Sequence, residues 1–154
     1  MFKKLFFGGD GGATPLADTG LLLLRVFAGL SMALAHGWGK VQDPSSIIGN
    51  ARGLGLPAPG LMGVAAMIAE FLGGLLLAIG LATRPAAFLI ACTMGVAAFM
   101  FHGGDRYKSQ ELALLYLAIA VCFMFTGSGR YGADAMFFRR RRGGQSAARG
   151  FDVK

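Results

Sequence analysis

The chain has 154 residues, of which 55% are hydrophobic and 15% charged, with a mean hydropathy of +0.57 and a formal charge of +7. Soluble domains carry about 25% charged residues, so the composition excludes an ordinary soluble enzyme and points to one membrane-embedded domain. The basic tail does not signal nucleic acid, because Arg139 to Arg142 directly follow an apolar run and read as a topology anchor facing anionic lipid headgroups.

Residues 1–18 form a glycine-rich lead with Gly8, Gly9, Gly11 and Gly12, expected to be mobile. The first apolar stretch, Thr19 to Trp38, contains an Ala33-Leu34-Ala35 tripeptide of the signal-peptidase type. Arg25 breaks the would-be signal core, so the segment reads as an uncleaved helix. Arg25, Gly29, Met32 and His36 follow one another at intervals of four, three and four, which puts them on one helical stripe that Lys40 continues. The loop from Val41 to Gly60 carries Pro44, Pro57 and Pro59. Asp43 before Pro44 is a helix-start signal, so Ser45 to Arg52 is expected to form a short interfacial helix. Ile47 and Ile48 would lie against the membrane surface, and the helix could act as a flap over a pocket.

The second run, Leu61 to Ala82, is interrupted by Glu70. A carboxylate near a bilayer midplane is disfavoured by several kcal/mol unless it is paired, protonated or facing water, so it marks a site. Gly63, Ala66, Glu70, Gly73 and Gly74 share a face of small residues, which turns the carboxylate into the bundle. Counting rise from the span ends leaves a vertical gap of under about 10 Å between Arg25 and Glu70, so a contact is expected, either functional or a structural ion pair that fixes register. The Thr83-Arg84 turn leads by a tight hairpin into Pro85 to His102, and Glu111 to Thr126 supplies the last span. Backbone groups in lipid must be satisfied within each segment, so these are helices. The fold class is therefore all-α, a four-transmembrane-helix bundle over 19–138 with a short interfacial helix between spans one and two. Residues 139–154 would be a basic, disordered tail.

Ten basic residues, Lys3, Lys4, Arg84, Arg130, Arg139 to Arg142, Arg149 and Lys154, fall on one side of this topology. Four, Lys40, Arg52, Arg106 and Lys108, fall on the other. The imbalance places both termini in the cytoplasm. On the far side His102, Asp105, Arg106, Tyr107, Lys108, Gln110 and Glu111 crowd one vestibule with His36 and Lys40. Tyr116 lies just over a turn below Glu111 and could add a hydroxyl or simply pack.

A slot lined by Phe, Met and Leu, with His, Glu, Arg or Tyr at its polar end, suits a quinone headgroup, whose carbonyls accept hydrogen bonds and whose reduction needs protons. Glu70, His102 and Glu111 are the candidate catalytic groups. Arg25, His36, Lys40 and Tyr116 are the candidate ligand-binding groups. No haem or metal is expected, since HxxxH and HExxH spacings are missing. Cys92 and Cys122 read as small core residues without CxxC spacing.

In its order of motifs the chain resembles the DoxX family of small four-span membrane proteins. The resemblance runs through Leu24-Arg25 with Gly29, His36-Gly37-Trp38-Gly39-Lys40, Gly55-Leu56-Pro57, and Glu70 with Gly73-Gly74. It continues through Gly80-Leu81-Ala82-Thr83-Arg84, His102, Glu111, and Gly127-Ser128-Gly129-Arg130 with Asp134. Where the family usually has Ser-Leu-Asp, this chain has Gly132-Ala133-Asp134. The resemblance implies a bacterial inner-membrane protein carrying an oxidoreductase label, linked to quinones through similarity to the membrane subunit of thiosulfate:quinone oxidoreductase. It also implies complexes that resist oxidative or thiol stress, and so a soluble or membrane redox partner. Small-residue faces allow homo-oligomers without requiring them. Two other readings stay open: a non-redox binding or transport protein for a small hydrophobic molecule, and a scaffold recruiting a soluble enzyme.

Overall fold

Four helices are long and apolar enough to cross a bilayer in the computed structural model, which describes residues 14–137. They are α1 (Pro15–Gln42), α3 (Pro59–Ile79), α4 (Thr83–Phe101) and α5 (Tyr107–Thr126), with a ten-residue helix α2 (Pro44–Gly53) between the first two. No strand occurs among the described residues. Residues 1–13 of the lead, the Arg139 to Arg142 run and the other basic residues of both ends, Lys3, Lys4, Arg149 and Lys154, lie outside them, whereas residues 15–18 of the expected lead are helical.

Local chemistry sets each boundary. α1 starts at Pro15, four residues ahead of the expected Thr19, because Thr14 caps it: its Oγ1 accepts from Ala17 N at 3.3 Å, and Pro15 occupies the first turn. Asp43 caps α2 as expected, accepting from Ser45 N at 3.0 Å and Ser45 Oγ at 2.6 Å. α3 ends in a left-handed Gly80 with φ 76°, where Gly80 N and Leu81 N both donate to Leu76 O. Glycine adopts that conformation without a Cβ clash, which lets the chain turn straight into α4.

Successive spans pack side by side, α1 on α3, α3 on α4 and α4 on α5, while α2 lies across α3. The α1–α3 crossing is backbone on backbone. A Cβ on Gly29 would lie 2.5 Å from Gly74 O, and one on Gly37 would lie 2.6 Å from Phe71 Cα. Such approach substitutes for the hydrophobic drive that lipid removes. Met32, Leu77, Ile90, Met94 and Phe123 fill the core, while Phe27, Leu34, Leu72, Phe88 and Phe125 remain exposed around it as a lipid-facing belt.

Two expectations are corrected. Ile47 and Ile48 do not spread on the membrane surface; both are half-buried, because the missing side chain of Gly63 lets Ile48 seat against α3. Cys92 and Cys122 are exposed rather than core residues, since the buried faces of their helices belong to Ile90, Met94, Ala120 and Phe123.

Candidate functional site

Both histidines sit at breaks in α-helical geometry. Met32–Gly37 of α1 and Ala97–Phe101 of α4 are π-helical, and His36 lies inside the first while His102 follows directly on the second. π-segments inside α-helices occur frequently at functional sites, since the wider turn re-aims the side chains beyond it.

These two breaks border a cavity of about 410 Å³ at the end of the bundle where α2 lies. α1 contributes His36 and Lys40, and α2 contributes Ile47, Asn50, Ala51 and Leu54. α3 contributes Met62, Gly63, Ala66, Ala69 and Glu70; α4 and its end contribute Leu89, Cys92, Val96 and His102. Ser109, Leu112 and Tyr116 come from α5. The volume falls in the range of small-molecule sites, about 300–1,000 Å³, and the wall has their character, apolar with a few convergent polar groups.

Glu70 is 2% exposed and pairs with the Lys40 ammonium, which is 27% exposed. His36 meets Tyr116 edge to face at a centroid distance of 5.5 Å, bridging α1 and α5 across the cavity. His102 Nδ1 lies 2.7 Å from Asp105 Oδ2. The turn carrying both is held by Gln110, whose Nε2 donates to His102 O at 2.7 Å and to Asp105 O at 3.3 Å.

Arg25 does not meet Glu70. Its guanidinium lies against Gly80, where Nη1 donates to Ser128 O at 2.6 Å and Nη2 to Tyr131 O at 3.5 Å. The residues from Glu70 to Gly80 rise about 15 Å, too far for the side chain. The expected contact fails because the close crossing sets Gly29 against Gly74 and Ala78, which places Arg25, one turn earlier in α1, level with Gly80 at the α3–α4 turn. There it joins a polar clamp. Asp134 accepts from Ala82 N at 2.8 Å, Thr83 N at 3.0 Å and Thr83 Oγ1 at 3.1 Å, while Asp18 accepts from Arg130 N at 3.2 Å. The Gly132-Ala133-Asp134 sequence keeps this cap intact.

Of the residues singled out from sequence, the structure therefore gathers Glu70, His36, Lys40, His102 and Tyr116 around one cavity. Arg25 lies in the clamp, and Glu111 is exposed and outside the cavity wall. Sequence reasoning missed Asn50, Ser109 and the part played by Asp105. The first two carried no signal beyond ordinary polarity; the i, i+3 spacing of Asp105 from His102 was available.

The chain matches the DoxX family model over residues 20–103, which includes Glu70, both histidines and Lys40. It belongs to the DoxX family. An uncharacterized protein of Haemophilus influenzae is 33% identical over 128 residues, covering 78% of this chain and 92% of that protein. A Bacillus subtilis protein named "Putative oxidoreductase CatD" is 30% identical, over 85% of this chain and 96% of its own length. "Inner membrane protein YqjF" of Escherichia coli is 29% identical, over 81% and 97%. No solved structure matches the chain. This DoxX protein is thus a multi-pass membrane protein, and the name of one relative connects the family to oxidoreductases.

Proposed function

We propose that the cavity binds the head group of a quinone, reached from the bilayer, and that the protein is the membrane member of an oxidoreductase assembly in a bacterial inner membrane. The observation that carries this reading is the convergence of Lys40–Glu70, His36, Tyr116 and His102 on one apolar cavity near a membrane surface. A quinone head is a flat apolar ring with oxygens at opposite ends, so it needs greasy walls and separated hydrogen-bond partners. Lys40 and Tyr116 can donate to a carbonyl, and the Lys40–Glu70 pair would stand beside the ring. Reduction takes protons as well as electrons. The histidines supply a proton route, and a partner protein supplies the electrons. The relative named as an oxidoreductase supports this reading. The basic excess at the opposite end of the bundle supports a cytoplasmic location for both termini.

Titration of the purified protein with a short-chain quinone analogue tests the reading. Saturable binding is expected, and Ala66→Trp, which fills the cavity, should abolish it. Binding that never saturates, or that Ala66→Trp leaves intact, overturns the proposal. Saturable binding without any electron transfer in the presence of membrane partners would instead favour a non-redox carrier.

A further inference from the structure

His102, on the cavity wall, is paired with a carboxylate from the turn that follows α4. His102 and Asp105 are joined at 2.7 Å through Nδ1, with side chains 30% and 52% exposed. The backbone between them is fixed as well: Asp105 N donates to His102 O at 2.9 Å, and Gln110 clamps both carbonyls. An edge contact with Phe101, at a centroid distance of 4.8 Å and 89° between planes, orients the imidazole further. A carboxylate offers only acceptors, so the nitrogen facing it must carry the proton. In a neutral imidazole the other nitrogen, Nε2, then holds a lone pair. Among the described residues no hydrogen bond occupies Nε2.

We propose that Asp105 is a positioning residue: it locks His102 as the Nδ1–H tautomer and presents Nε2 as an acceptor for a hydroxyl on the ligand's head group. The inference rests on the quinone reading and sharpens it. A quinone carbonyl has nothing to donate to Nε2, whereas the reduced, hydroxyl-bearing quinol does. The Nε2 lone pair therefore favours the reduced form, made when two electrons from the partner protein and two protons reach the quinone, and the exposed Asp105 side of the pair faces the water from which those protons are drawn. The arrangement repeats the general use of a carboxylate to fix which imidazole nitrogen is basic. Lys40 and Tyr116, on the walls that α1 and α5 contribute, remain as donors for the ring's other oxygen.

The chain has only two histidines, so ¹⁵N-histidine labelling of the full-length protein in lipid nanodiscs gives two resolvable rings. Recorded above the imidazole titration, the His102 ring should show protonated Nδ1 and unprotonated Nε2. In Asp105→Ala that single-tautomer signature should be lost while the His36 resonances stay in place. A wild-type ring protonated at Nε2, or a tautomer unchanged in Asp105→Ala, overturns the proposal without any ligand being involved. The wild-type spectrum decides even if the variant fails to fold. An alkyl-hydroquinone should then shift His102 Nε2, and its dimethyl ether, which cannot donate, should not. Equal shifts with both compounds overturn the hydroxyl assignment. No shift with either, alongside the expected tautomer, overturns the quinone reading of the cavity while the positioning role of Asp105 stands.

Discussion

Glu70 is paired inside the bundle with a lysine that lies a few residues beyond a π-helical segment, and this arrangement separates what the pair does for stability from what it does for binding. Removing one partner of a buried ion pair leaves the other uncompensated, which costs more than removing both. Lys40→Met should therefore destabilise the protein by about 2–3 kcal/mol, below the range for a sealed pair because Lys40 keeps contact with solvent. Glu70→Leu should cost less, since the freed lysine can extend toward water. The Lys40→Met/Glu70→Leu double variant should recover most of the loss in detergent unfolding experiments, and the cycle gives the coupling directly. If the recovered variant also keeps quinone-analogue affinity, the pair is only a structural register lock. Asn50 shows what remains invisible at this scale, since it gains meaning only when α2 folds over the cavity, whereas the i, i+3 spacing of Asp105 from His102 could be read in advance.

At the scale of elements, glycine position rather than glycine content decides the packing. Gly37 and Gly39 are two residues apart in α1, yet a Cβ on Gly37 would strike the Phe71 backbone while one on Gly39 would meet nothing within 4 Å. Gly39→Ala should be neutral or stabilising by up to about 1 kcal/mol from helix propensity, whereas Gly37→Ala should destabilise by about 1–3 kcal/mol as the helices separate. Thermal unfolding in lipid nanodiscs checks both signs. The α2 helix offers a pH test. Hydrogen bonds from the Ser45 hydroxyl and then the Ser45 amide hold the Asp43 carboxyl below its ordinary range. A depressed folded-state value means that the cap's contribution is fully present above the unfolded aspartate value of about 3.9 and is lost as pH falls through the lower folded one. Protection of the first α2 amides against hydrogen exchange should follow that curve, and Asp43→Ala should lack it at every pH. These elements were legible in the sequence where a side chain acts on its own neighbours, as at Asp43-Pro44 and Gly80. The relative height of α1 and α3 was not, because the crossing at Gly29 and Gly74, and the early start at Pro15, are set by contact between segments far apart in the chain.

For the whole molecule, the bundle has two polar ends with different work: a clamp of Arg25, Asp134 and Asp18 that ties the final segment to the first, and a cavity end left open beneath α2. The clamp's hydrogen bonds run mostly to backbone partners, so it fixes structure, while the cavity end leaves His36 and Tyr116 without hydrogen-bond partners among the described residues and free for a ligand. The two cysteines report on this division, since both are exposed on the transmembrane helices but only Cys92 lines the cavity. A membrane-permeant maleimide should alkylate both in nanodiscs. A saturating quinone analogue should slow Cys92 labelling several-fold and leave Cys122 unchanged. Equal slowing of both would mean that the analogue acts by filling the bilayer, and no slowing of either would mean that it never enters the cavity. Because Cys122 sits in the same lipid on the same protein, the ratio of the two rates cancels every effect except occupancy of the space between α3, α4 and α5.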